Sequence, residues 1–122
     1  MNQNQIPPQF PRLSAGIIEL RTDNWTVSVA DKVIKLTYLE FRLLQELIRA
    51  RGTVLTREDL LQTIWGHENI TSLETRTVDV HMARLRKKLG AASSHLITVR
   101  KVGYRIDIAP EWIHHASQRM RE

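Results

Sequence analysis

The sequence predicts an α+β fold, with a small antiparallel sheet on the N-terminal side, three helices in the middle and a β-hairpin on the C-terminal side. Two observations lead to this prediction. Short apolar or alternating runs stand on both sides of the chain, and the segment between them has the period of amphipathic helices. At 122 residues the chain has room for one domain of this kind.

The N-terminal sheet is predicted from three runs, Ile17 to Leu20, Thr26 to Val29 and Val33 to Leu36, which turn-like residues separate. Residues 1–13 contain prolines among polar residues and have no apolar period, which indicates a flexible linker or arm. We therefore place the folded domain at residues 14–108. Residues 109–122 form a C-terminal tail, in which Pro110 favours the start of a short helix.

The first two helices are each predicted to begin at a threonine and to end near a glycine. Thr37 and Glu40 form the T-x-x-E capping box, and Gly52 follows as a stop signal. Apolar residues occupy most of the helical wheel, so the sheet and the other helices have to cover this helix on two sides. The second helix follows its N-cap Thr56 and ends at Gly66, with apolar residues on one face.

The third helix is predicted over RTVDVHMARLRKKLG, from Arg76 to Gly90, and Thr71 with Glu74, or Ser72, are candidate caps before it. A narrow apolar stripe faces the core and consists of Val78, Met82, Leu85 and Leu89. The opposite half of the wheel carries Arg76, Thr77, Val80, Arg84, Lys87 and Lys88, with His81 and Arg86 nearer the flanks. One apolar residue thus stands within a basic face.

The C-terminal hairpin is predicted from the alternating runs Leu96 to Arg100 and Tyr104 to Ile108. We expect Gly103 between them to take the left-handed conformation that a short loop requires. The tip of the hairpin is basic because it carries Arg100, Lys101 and Arg105.

The basic face of the third helix has two interpretations. Most basic helix faces are simply solvated. The alternative is a recognition helix in the major groove of DNA, where an arginine pairs with guanine and Val80 contacts a thymine methyl group. The second helix before it and the basic hairpin after it favour the DNA interpretation. A formal net charge of +5 also suits a partner rich in negative charge.

Three stretches resemble, in this order, the winged helix-turn-helix DNA-binding effector domain of OmpR/PhoB-type bacterial response regulators. They are LTYLEFRLLQELIRARGTVLTREDLLQTIWG, TRTVDVHMARLRKKLG and ITVRKVGYRI. The resemblance implies sequence-specific binding of double-stranded DNA by a transcription regulator of a two-component phosphorelay. The third helix would enter the major groove and the hairpin wing the minor groove. It also implies dimers on tandem direct repeats and an N-terminal receiver domain.

The resemblance and the basic face together indicate the site residues. Val80 and Arg84 are the expected base contacts. The expected phosphate or wing contacts are Trp65, Arg76, Thr77, His81, Arg86, Lys87, Lys88, Thr98, Arg100, Lys101 and Tyr104. The loop from His67 to Leu73 is similar to one with which family members contact RNA polymerase, and its candidate residues are His67, Glu68, Asn69, Ile70, Thr71 and Ser72.

Several of these residues have alternative roles. Trp65 and Tyr104 would be buried core aromatics in any fold, and Arg86 has the alternative of an ion pair with Asp79. Two positions depart from the family pattern. Lys101 stands where a glycine usually follows the wing arginine, and Ala83 stands where many relatives have a basic residue.

Other functions are less well supported by the sequence. A winged-helix module that binds proteins without specific DNA binding is the main alternative. We expect no enzyme, cofactor or metal site, because the chain has no cysteine and the spacing of Glu111, His114 and His115 provides no third ligand. A cytoplasmic protein is expected, since neither a membrane span nor a signal peptide is recognisable. The Pro-rich arm favours a fragment of a longer regulator over a stand-alone one.

Overall fold

The computed structural model describes residues 12–66 and 74–107. In chain order the elements are strands β1 (Arg12–Ala15), β2 (Ile18–Arg21), β3 (Thr26–Val29) and β4 (Lys32–Ile34), helix α1 (Tyr38–Arg49), strand β5 (Leu55–Thr56), helices α2 (Arg57–Trp65) and α3 (Arg76–Leu89), a 3-10 helix (Gly90–His95), and strands β6 (Leu96–Val99) and β7 (Gly103–Ile106). The predicted α+β architecture of sheet, helices and hairpin is confirmed.

The N-terminal sheet has four antiparallel strands in the order β1-β2-β3-β4. The sequence predicted the last three, but β1 begins inside the predicted linker, where Arg12 pairs with Arg21 and Leu13 with Leu20. The folded domain therefore begins at least two residues before the predicted boundary at residue 14. Four residues are too few for their period to be recognised, and backbone pairing with β2 determines this strand.

Helix α1 lies at the centre of the domain and packs against α2, α3, β1 and β7. The capping box at its start is confirmed, because Glu40 N donates to Thr37 Oγ1 at 3.2 Å and Thr37 N donates to Glu40 Oε1 at 2.9 Å. Its buried apolar side chains are Phe41, Leu43, Leu44, Leu47 and Ile48. The predicted cover on two sides is therefore confirmed.

Helix α2 also begins with a capping box, formed by Thr56 and Asp59, and it ends at Gly66, as predicted. The short strand β5 before it was not predicted. β5 pairs with β7, which gives a second sheet in the order β5-β7-β6. The start of α2 is thereby connected to the C-terminal hairpin.

Helix α3 buries the predicted stripe, with Val78, Met82, Leu85 and Leu89 at most 3% exposed. Thr75 precedes the helix and caps no backbone N–H with its side chain. The candidate caps Thr71 and Ser72 lie outside the described residues, as does the tail after Asp107 with Glu111, His114 and His115. Within the described ranges, no helix is long and apolar enough to cross a membrane.

The prediction for Gly103 was wrong. Gly103 lies within β7 and is not among the residues with positive φ, whereas Lys101 at the tip has φ +68°. Val102 N donates to Val99 O at 2.9 Å, so Lys101 occupies the turn position that favours glycine. Gly103 is required for a different reason: a Cβ there would overlap the carbonyl oxygen of Leu55 in β5.

We expect Lys101→Gly to stabilise the domain by about 0.5 to 1 kcal/mol, because glycine removes the left-handed strain of a lysine in this turn. Thermal or urea unfolding of both proteins measures the change. Lys101→Ala is the matched control, since it removes the same charge and keeps a Cβ. If both variants gained equally, charge repulsion rather than backbone strain would be the cause.

Candidate nucleic-acid interface

The exposed face of α3 carries the two residues predicted to contact bases. Val80 is 42% exposed although it is apolar, and Arg84 is exposed one helical turn further along. Within residues 12–66 and 74–107, Arg84 and Lys87 have no hydrogen-bond or ion-pair partner. Both cations are thus available to an external anion, and Val80 lies on the same face.

The first half of α3 positions three further predicted contacts. His81 Nδ1 lies 2.9 Å from the Thr77 carbonyl oxygen, and the His81 ring meets the edge of Trp65 with centroids 5.3 Å apart. Trp65 is half-buried and packs against the core, so α2 supports the His81 ring. Arg76 forms a 3.4 Å ion pair with Glu74, but both side chains are exposed, and such pairs contribute little. Arg76 therefore remains available to a stronger anion.

Asp79 is the centre of a polar cluster on the side of α3 that faces the hairpin. Its Oδ1 accepts a hydrogen bond from Arg57 Nε at 2.8 Å and another from the Tyr104 hydroxyl. The Arg57 guanidinium also lies 5.2 Å from the centroid of the Tyr104 ring. The alternative ion pair between Arg86 and Asp79 is therefore not the one that forms, because Arg57 takes this place. We call Arg57, Asp79, Arg86, Thr98 and Tyr104 the Asp79 cluster.

Arg86 connects α3 with β6. Its Nη2 donates to Thr98 Oγ1 at 2.6 Å and to the Leu96 carbonyl oxygen at 3.0 Å, and its guanidinium lies 5.6 Å from the Tyr104 ring centroid. Tyr104 is 4% exposed, as in the core alternative for this residue. Three predicted phosphate contacts, Arg86, Thr98 and Tyr104, thus have intramolecular partners that fasten the hairpin to α3.

The pKa shifts within the Asp79 cluster follow from burial and from the Asp79 carboxylate. Burial raises the pKa of the Tyr104 hydroxyl, and its hydrogen bond to Asp79 raises it further. The hydrogen bond to Asp79 raises the pKa of the Arg57 guanidinium. Both partners of Asp79 therefore keep their protons at neutral pH, and the cluster remains intact.

Sequence patterns did not indicate Arg57. It lies 22 residues from Asp79, and neither helical period nor strand alternation relates residues so far apart. The only sequence signal is a basic residue in the first turn of a helix, where acidic residues are favoured.

Lys88, another predicted phosphate contact, has an internal partner in α1. Its Nζ lies 2.8 Å from Glu40 Oε1, and the Glu40 side chain is 1% exposed. Burial by itself raises the pKa of the Glu40 carboxyl, but the hydrogen bonds from Lys88 and from Thr37 N outweigh it, and the pKa lies below its usual value. Lys88 thus balances a buried carboxylate that also caps α1.

The hairpin presents Arg100 and Lys101 at its tip, and both are exposed. Val102 beside them is 44% exposed. The loop residues predicted to contact RNA polymerase, from His67 to Ser72, lie outside the described residues.

A helix pair whose second member has an exposed basic face, followed by a basic hairpin that is fastened to it, defines the winged helix-turn-helix class of DNA-binding domains. The chain belongs to the family described as "Transcriptional regulatory protein, C terminal", whose model matches residues 31–106. The resemblance to OmpR/PhoB-type effector domains is thereby confirmed.

Among curated proteins, the chain is similar to the sensory transduction protein RegX3 of Mycobacterium tuberculosis. The two are 39% identical over 98 residues, which are 78% of this chain and 42% of RegX3. The chain therefore spans less than half the length of this relative.

Among solved structures, the chain is similar to two domains that were determined with DNA. The DNA-binding domain of the response regulator AdeR, in complex with an intercistronic region, is 34% identical with a TM-score of 0.66, over 76% of this chain and 96% of that one. The Klebsiella pneumoniae RstA DNA-binding domain, in complex with the RstA box, is 29% identical with a TM-score of 0.69, over 80% of this chain and 98% of that one.

Proposed function

We propose that this chain is the effector domain of a two-component response regulator and binds specific double-stranded DNA. Its helix α3 enters the major groove, and the hairpin of β6 and β7, the wing, reaches the neighbouring minor groove. The observation that supports this most directly is the α3 face itself, where exposed Val80 lies among cations and Arg84 has no partner in the described part of the chain. A face made only for solvent gains nothing from an exposed valine at its centre.

Val80 and Arg84 read base edges, while the other contacts fix the position of the domain on the duplex. The proposed phosphate and wing contacts with free or weakly paired side chains are Arg76, Thr77, His81, Lys87, Arg100 and Lys101, and Trp65 contributes through its indole N–H. Arg86, Thr98 and Tyr104 act chiefly by holding the wing against α3 through the Asp79 cluster. Lys88 acts chiefly on Glu40 and approaches the DNA backbone with the rest of its face.

The partners of the whole regulator remain proposals as well. AdeR and RstA were solved on DNA, which supports DNA as the partner of this chain. The length of RegX3 relative to this chain supports a further domain, for which a receiver is our proposal. Dimers on tandem direct repeats, contact of the loop at residues 67–72 with RNA polymerase, and a cytoplasmic location complete it.

Selection from a random duplex pool tests the proposal. The purified chain is expected to enrich one motif, arranged as a direct repeat with about one helical turn between half-sites. Its affinity should fall by about 0.9 log units per phosphate contact for each log unit of salt. Failure to retain any duplex at low salt would contradict DNA binding and leave the protein-binding module as the function.

We expect Arg84→Ala to lose about 1 to 3 kcal/mol of binding free energy at the selected site and little on random duplex, because a bidentate contact to guanine carries sequence information. Fluorescence anisotropy with both duplexes measures the two losses. Lys87→Ala is the matched control on the same helix, and it should weaken both duplexes alike. An equal loss on both duplexes for Arg84→Ala would contradict its base-reading role.

A further inference from the structure

A groove of about 470 Å³ lies between the first turn of α1 and one side of α3. It is lined by Thr37, Tyr38, Leu39 and Glu40 from α1 and by His81, Arg84, Lys87 and Lys88 from α3. Arg84 belongs both to this groove and to the proposed base-reading face. The groove therefore lies directly beside the proposed DNA surface, in a region where the sequence analysis predicted no contact from α1.

The accessible charge of this groove is positive. Arg84 and Lys87 are exposed and have no partner in the described part of the chain. The carboxylate that lines the groove, Glu40, is 1% exposed and is neutralised by Lys88 at 2.8 Å. An extended polyanion suits this wall better than an apolar or a cationic partner.

Tyr38 is held in place at the α1 side of the groove. It is 57% exposed, and its ring centroid lies 5.5 Å from that of Trp25. Arg42 Nη1 donates to the Tyr38 hydroxyl at 3.1 Å. Because the hydroxyl oxygen accepts from Arg42, its own O–H remains able to donate outwards, as a phosphate oxygen requires.

We propose that this groove is a further binding site for the DNA backbone. Tyr38 donates a hydrogen bond to a phosphate that flanks the bases read by α3, and Lys87 neutralises the same stretch of backbone. This inference rests on the proposed DNA-binding function and extends the interface to the first turn of α1. Since a phosphate contact carries no sequence information, Tyr38 adds affinity without specificity.

The test is Tyr38→Glu, compared by anisotropy on the selected site and on a random duplex of about 20 base pairs. A glutamate at the first position of α1 suits the positive end of the helix dipole and the i,i+4 spacing to Arg42, so thermal stability should be unchanged or higher. Its charge repels a phosphate in the groove, so affinity should fall at least about tenfold on both duplexes.

The matched control is Val33→Glu, which changes the net charge equally at a site in β4 that is 71% exposed and outside the groove. We expect it to lower affinity by less than about threefold. Tyr38→Phe keeps the ring and should lower affinity by about two- to tenfold through loss of the hydrogen bond.

Equal losses for Tyr38→Glu and Val33→Glu would overturn the groove as a DNA site while leaving DNA binding intact. Wild-type affinity of Tyr38→Phe would overturn the hydrogen bond to phosphate. If the unmodified chain bound neither duplex, the proposed function itself would fail, and this outcome is visible before any variant is measured.

Discussion

Gly103→Ala is expected to destabilise the domain by about 3 kcal/mol or more, the largest loss that we predict for a single methyl group. An added Cβ would overlap the Leu55 carbonyl oxygen and lie 2.8 Å from Thr56 Cα. Both are backbone atoms of β5, which pairs with β7 and leads directly into α2. Relief would require β5 to move away from β7, which would disturb the start of α2. Urea unfolding measures the loss.

Gly90→Ala is the matched control for this prediction. Gly90 has φ +62°, and nothing lies within 4 Å of an added Cβ. Its substitution therefore introduces only backbone strain, about 1 to 2 kcal/mol. If Gly103→Ala lost no more than Gly90→Ala, β5 would be able to shift freely, and the close packing of β5 on β7 would not contribute to stability.

The helices show how much of the fold is determined locally. Both capping boxes, the glycine that ends α2 and the buried stripe of α3 were predicted, because each depends on residues within one or two helical turns. The exposure of Val80 and Arg84 followed from the same period. The base-reading candidates could therefore be placed on one face without any tertiary information.

The parts that could not be predicted depend on residues far apart in the chain. β5 has two residues and exists because β7 pairs with it, and the role of Gly103 follows from that pairing. Arg57 reaches Asp79 across 22 residues, and Lys88 reaches Glu40 across 48. No sequence period connects such positions, so a basic residue that faces DNA and one that pairs internally look alike in the sequence.

This distinction matters for the predicted phosphate contacts. Arg84 and Lys88 are one helical turn apart on α3, yet Arg84 has no partner in the described part of the chain, whereas Lys88 is paired with Glu40. Arg86 likewise donates to Thr98 and Leu96. A basic helix face thus combines groups that contact DNA with groups that hold the helix in the correct orientation.

Glu40→Ala is expected to destabilise the domain by about 3 kcal/mol, because it removes the cap of α1 and leaves Lys88 without its partner. Glu40→Gln separates the two effects. Glutamine still caps the Thr37 N–H but cannot pair with Lys88 as an ion, so we expect a smaller loss of about 1 to 2 kcal/mol. Urea unfolding at neutral pH measures both losses.

The pH dependence identifies the ionic part of this loss. The pKa of the Glu40 carboxyl is lowered from its usual value of 4.5. Its contribution is therefore fully present above the unfolded pKa and is lost as pH falls through the lower, folded pKa. The difference in unfolding free energy between the wild type and Glu40→Gln should then be constant from about pH 7 to about pH 5 and shrink below about pH 4.

Other carboxylates titrate in both proteins and largely cancel in this difference. A difference that stayed constant down to about pH 3 would contradict the ionic pair and would attribute the loss to hydrogen bonding alone. Lys88→Met provides the converse control, since it keeps the aliphatic stem and removes the ammonium group. It should lose a similar free energy at neutral pH, because the same pair connects the start of α1 to the helix that carries Val80 and Arg84.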